Sequence, residues 1–190
     1  MRILPVGDSD ARLLEPVLHA DDRGFFARSW CAQSVREAGF AFTPLQGNVS
    51  LTRGAGTLRG MHFQRAPRPD PKIVRCSLGR IHDVIVDLRE GSPTRGQAFA
   101  HVLDGARPQL LCVPGGFAHG FQLLSEEAMV EYLMGEVYVP ELYDGFCHDD
   151  PALGLAWPLP VRGLSEKDRA WPPLAGRVPW LASSREGTHA

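Results

Sequence analysis

Residues 72–89 read KIVRCSLGRIHDVIVDLR, two short apolar runs hinged on Leu78-Gly79. β-Branched residues fill both runs, and each is too short for a core helix. The stretch therefore reads as strand, tight turn, strand. The same pattern continues outward through AFAHVLDG (98–105), QLLCVPGGFAHGFQLLS (109–125) and AMVEYLMGEVYV (128–139). Turn signals separate them at Glu90-Gly91-Ser92-Pro93, Asp104-Gly105 and Pro114-Gly115-Gly116. Short branched or aromatic runs between turn residues predict an all-β sandwich or barrel.

Helical signals are few. SWCAQSVREAGF (29–40) opens on Ser29 as a candidate cap and closes on Gly39. LSEKDRAWPP (164–173) predicts one short helical turn capped by Ser165, with Asp168 three residues on and Pro172-Pro173 as the stop. No repeat, linker or low-complexity segment divides the chain, which predicts a single domain over 1–190. Its core falls at about 20–170, and the polar tail ending SSREGTHA is expected to fray.

With 190 residues, 44% of them hydrophobic, the chain has enough apolar surface to fold around a substantial core. A net charge of −2 gives no global signal for nucleic acid, so any anion site must be local. Cys31, Cys76, Cys112 and Cys147 lie far apart, with no C-x-x-C pair. That spacing argues against a disulfide framework or a zinc ribbon and for free thiols in a reducing cytoplasm. The start, MRILPVGDSDARLLEPV, has no apolar stretch of signal-peptide length, and no run is long enough to span a bilayer. The expectation is a cytoplasmic protein with neither membrane nor nucleic acid as a partner.

Residues two apart on a strand share a face, so parity says which side chains point inward. In KIVRCSLG, Lys72 shares its face with Val74, Cys76 and Leu78. Either it snorkels out from the open end of the strand, or it is an interior cation with a function. Tyr132 shares its face with Val130 and Met134 and is thus a packed or a working tyrosine. In TLRGMHFQ (57–64), His62 has the parity of Leu58, Gly60 and Gln64. A satisfied core histidine, a metal ligand and a base all fit. Together, a His, a Lys and a Tyr sent inward from three strands would suit proton transfer beside a carbonyl. The metal reading is the weaker one. The candidates His62, His82, His101 and His119 include no H-x-H pair, and position 64 is Gln.

The residues also carry a resemblance. DDRGFFARSW (21–30), QGNVSLTRGAGTLRGMHFQ (46–64), KIVRCSLGRIHDVIVDLREGSPTRG (72–96), VPGGFAHGFQLLSE (113–126), DDPALGLAWPL (149–159) and LSEKDR (164–169) resemble the dTDP-4-dehydrorhamnose 3,5-epimerase family in order and spacing. The resemblance implies a cupin-type jelly roll with a few short flanking helices. It implies no metal or other cofactor, a nucleotide-sugar substrate and a homodimer with exchanged N-terminal strands. The implied reaction inverts C3 and C5 of a nucleotide-linked 4-keto-6-deoxyhexose, both acidified by the C4 ketone. By the same resemblance His62 is the base and Asp168 orients it. Lys72 faces the C4 oxygen, and Tyr132 returns the proton from the other face. Arg23 and Arg59 hold the diphosphate, Gln46 and Asn48 line the nucleotide and sugar site, and His119 and Tyr138 sit beside the substrate.

Two positions depart from the family pattern. Arg28 stands where thymidine-using members commonly carry glutamate, which leaves the base open among thymidine, cytidine and guanosine forms. Gly135 stands where a polar residue is usual, which bears on whether one or both carbons are inverted. The alternatives are an epimerase acting on C3 or C5 alone, and a metal-dependent cupin enzyme.

Overall fold

A computed structural model describes residues 1–175 and 177. Two antiparallel sheets carry the fold. The first runs in the order β1 (Arg2–Pro5), β2 (Arg12–Glu15), β10 (Leu110–Val113), β7 (Lys72–Leu78), β12 (Glu127–Met134), β5 (Gln46–Arg53). The second runs β13 (Tyr143–Gly145), β6 (Leu58–Gln64), β11 (Phe117–Leu123), β8 (Arg80–Asp87), β9 (Ala98–Asp104). A separate hairpin pairs β3 (Leu18–Asp21) with β4 (Gly24–Ala27). The all-β jelly-roll expectation holds, with consecutive strands repeatedly crossing between sheets.

Three apolar layers explain the near-continuous hydrophobicity of the central strands. Val74, Cys76, Leu111 and Val130 from the first sheet meet Ile81, Ile85, Phe117 and Phe121 from the second. On the outer side of the first sheet, Ile73 and Cys112 pack against Val35, Ala38 and Phe40 in and after α1 (Ala32–Glu37). On the outer side of the second, Met61, Val84 and Val86 pack under Phe146 and Leu174. A strand covered on both faces cannot alternate polar and apolar residues, which is why DVIVD reads as a solid run.

Local differences from the sequence reading have physical causes. The first helix begins later than Ser29: Cys31 is its N-cap and makes no side-chain cap bond, while Gly39 ends it at φ +77°. Leu78 is exposed rather than interior, because it abuts the Gly79 turn at the sandwich rim. EVYV (136–139) leaves the sheet, since β12 stops at Met134. The second helix, α2 (Glu166–Ala170), matches its expectation, with Ser165 Oγ accepting from Asp168 N. The SSREGTHA tail lies outside the described residues.

Candidate active site

The inter-sheet layer is apolar at one end and opens at the other into a cavity of about 360 Å³. Asn48 and Ser50 of β5, Arg59 and His62 of β6, Lys72 of β7, His119 of β11, Tyr132 of β12, Tyr143 of β13 and Asp168 of α2 all reach it.

A bulge decides what β6 presents. His62 pairs with His119 and Arg59 with Phe121, so Gly60 and Met61 together face the single residue Gly120. The extra residue resets the alternation. Arg59 and His62, three apart, line one cavity, while Met61 turns out to the outer layer. Simple parity, which grouped His62 with Leu58 and Gly60, fails here. Two glycines make the bulge possible. Gly60 sits at φ +124°, and a Cβ on it would lie 2.6 Å from Gly120 Cα.

His62 Nε2 lies 2.6 Å from Asp168 Oδ1. Asp168 is buried, which pushes its carboxyl up, but bonds from His62, Ser165 and the Gly60 backbone outweigh burial and hold it below its ordinary value. A carboxylate only accepts, so the imidazole proton sits on Nε2 and leaves Nδ1 as the basic nitrogen. Tyr132 is raised above the ordinary tyrosine value, chiefly by burial, and its hydroxyl lies 3.5 Å from Ser50 Oγ. At neutral pH it is therefore a proton donor. Lys72 Nζ lies 2.9 Å from Asp70 Oδ2. His119 Nε2 lies 2.8 Å from the buried Asp83 Oδ2 and sets its ring edge-on to Tyr132. Arg59 Nε donates to Thr52 Oγ1 at 2.8 Å. A base, a neutral acid and fixed cations around one void can remove and return a proton on a carbon acid.

The fold thus gathers His62, Asp168, Lys72, Tyr132, Arg59, His119 and Asn48. It leaves four expected residues outside the cavity lining. Arg23 projects from the β3–β4 hairpin and pairs with Asp21. Arg28 lines a separate hollow with Val17, His19 and Phe26. Gln46 donates to Asn48 Oδ1, and Tyr138 packs edge-on against Tyr143. Gly135 packs on Phe42 and Pro71, where a Cβ would lie 2.9 Å from Pro71 Cγ. Sequence reasoning missed Asp70, Ser50, Asp83, Tyr143 and Lys167. Lys167 Nζ caps the Tyr143 ring at 4.0 Å, and that ring leans on His62. Only Asp70 left a signal, an acid between two prolines just before Lys72. Among the described residues, no three His, Cys, Asp or Glu side chains converge as metal ligands.

Fold and site together define a cupin-type jelly roll with an acid–base pocket between its sheets. The family model for dTDP-4-dehydrorhamnose 3,5-epimerase matches residues 8–176. A relative of that name from Methanothermobacter thermautotrophicus is 39% identical over 91% of this chain and 94% of its own. The crystal structure of the Bacillus anthracis dTDP-4-dehydrorhamnose 3,5-epimerase, with TDP and pyrophosphate bound, superposes with a TM-score of 0.88. It is 40% identical and covers 91% of this chain and 99% of its own. The 3'-monoepimerase ChmJ from Streptomyces bikiniensis, in complex with dTDP-quinovose, gives a TM-score of 0.82. It is 34% identical and covers 90% of this chain and 87% of its own. The chain belongs to the dTDP-4-dehydrorhamnose 3,5-epimerase family, and it is an enzyme of the isomerase class.

Proposed function

We propose that this single-domain chain epimerises C3 and C5 of a nucleotide-linked 4-keto-6-deoxyhexose, with the dTDP form as the leading substrate. The observation that carries this is the convergence of the His62–Asp168 pair, Lys72 and Tyr132 on one cavity from four separate elements. His62 removes the proton α to the ketone, and Asp168 steadies the imidazolium that forms. The ketone oxygen takes up the charge as an enolate facing Lys72. Tyr132, neutral and buried, returns a proton to the other face, and the carbon is inverted. Protons leave and return with no change of oxidation state, so the net reaction draws on no redox equivalent. Arg59 supplies a guanidinium for the diphosphate, while Asn48 and His119 hold the sugar.

Solvent deuterium exchange tests the reading. Label at both C3 and C5 is the expected result with a dTDP-linked 4-keto sugar. No label at either carbon, across thymidine, cytidine and guanosine forms, overturns it. The likeness to a 3'-monoepimerase supports a second reading, inversion of C3 alone, for which exchange at C3 only is the signature.

We also infer a homodimer. The β3–β4 hairpin exposes Phe25 and Phe26, the latter at 73%, and the edge strand β5 exposes Val49 at 65%. Arg23 and Arg28 ride on that hairpin, so their contact with diphosphate and base is with a neighbouring subunit's cavity. Light scattering tests this, with Phe25→Asp/Phe26→Asp expected to give monomers. Four free cysteines support residence in the reducing cytoplasm.

A further inference from the structure

Lys72 is only 5% exposed, at the start of β7. A buried ammonium is strongly disfavoured without a partner. Its partner is Asp70, itself 8% exposed, at 2.9 Å. The other carboxylate oxygen, Oδ1, accepts the Gln64 backbone N–H at 3.0 Å. With both oxygens engaged, Asp70 is not a spare base. It is a fixed anion.

Its own position is set by the backbone. Asp70 lies between Pro69 and Pro71, whose rings fix φ on either side and restrict the residues before them. Gln64 Nε2 donates to Arg68 O at 2.7 Å, and Gly135 N donates to Pro71 O at 2.8 Å. The loop is thus tied to β6 on one side and to the end of β12 on the other. Lysine has no such rigidity: its four-carbon stem samples many rotamers unless its head is held. Asp168, the other carboxylate lining the cavity, is engaged by His62. That leaves Asp70 as the anion for Lys72, whose side chain lines the cavity.

We propose that Asp70 is a positioning residue for the reaction. It holds the Lys72 side chain, charged and at one place, where negative charge develops on the ketone oxygen. This rests on the function proposed for Lys72. A cation fixed in advance stabilises the transition state without reorganising at each turnover, and a loosely held one does not.

The test uses the full chain and dTDP-4-keto-6-deoxyglucose, with Asp70→Asn, Asp70→Glu and Lys72→Met made singly and Asp70→Asn also combined with Lys72→Met. Asp70→Asn is expected to lower kcat by roughly tenfold or more with KM within about threefold, the pattern of a lost transition-state interaction. Asp70→Glu keeps the charge but moves it by one methylene, and should fall between Asp70→Asn and the parent. In the Lys72→Met background, Asp70→Asn should change nothing further, because its effect passes through the lysine. Parental kcat in both Asp70 variants, or an additive loss in the double variant, overturns the proposal. If Asp70→Asn fails to fold, Asp70→Glu in the two backgrounds gives the same decision. A fully active Lys72→Met would instead overturn the role of Lys72, a separate failure.

Discussion

His62 and Asp168 stand 106 residues apart in the chain and 2.6 Å apart in the fold. The pair joins a bulged strand of the second sheet to a short helix near the end of the described chain. Ser165 caps that helix through Asp168 N, so the bond that starts the helix also sets the carboxylate. Disrupting either partner should sharply lower activity and spare the fold. His62→Ala is expected to cut kcat about 10³-fold, and Asp168→Asn, which keeps shape but loses charge, about 10²-fold. Steady-state kinetics beside circular dichroism checks both.

Tyr132→Phe removes the proposed acid and leaves the proposed base. Solvent exchange catalysed by His62 should continue while inverted product falls away. NMR of the recovered sugar in deuterium oxide separates the two. Full turnover with normal stereochemistry would show that another group delivers the proton.

Gly60→Ala tests the bulge. The new methyl would meet Gly120 Cα at 2.6 Å and His119 O at 2.9 Å, on a residue at φ +124°. A loss of about 3 kcal/mol in urea unfolding is expected. Any folded fraction should have a raised KM as well as a lowered kcat, because Arg59 and His62 are set by the same distortion.

Asp87 gives the acid limb of stability. Burial pushes its carboxyl up, yet bonds from Arg89, Ser92 and Thr94 overcome this and bring it from the ordinary 3.8 to about 2. A carboxyl depressed in the folded state favours folding above its unfolded value and loses that contribution as pH falls through its folded value. This one group is worth about 2 kcal/mol at neutral pH. The stability gap between the parent and Asp87→Asn should be flat above about pH 4 and close toward pH 2. A gap of unchanged size at pH 2 would refute the assignment.

The two runs of KIVRCSLGRIHDVIVDLR form consecutive strands, β7 and β8, in opposite sheets, because short branched segments between glycine turns have few alternatives. Parity placed Lys72 and Tyr132 inside correctly, since both lie on strands whose alternation holds around them. It failed at TLRGMHFQ, where the Gly60–Gly120 contact adds a residue to one strand. That contact joins residues sixty positions apart, and no local pattern signals it. Gln64 shows the same limit. From sequence it was a missing histidine; in the fold it accepts from Val139 N and donates to Arg68 O and Val137 O, clamping two loops.

The sequence by itself determined the all-β class, the short second helix with its cap, and which of its residues resemble an epimerase's working groups. Such features rest on local sterics, alternation and residue chemistry, all written within a few positions. Tertiary structure alone decided how His62 and Asp168 are brought to 2.6 Å, how a bulge turns Arg59 into the same cavity, and that Asp70 holds Lys72. It also left Arg23 and Arg28 on an exposed hairpin away from that cavity. These are distances between chain segments, fixed by how two sheets stack and where one strand bulges, and a linear pattern carries no term for them.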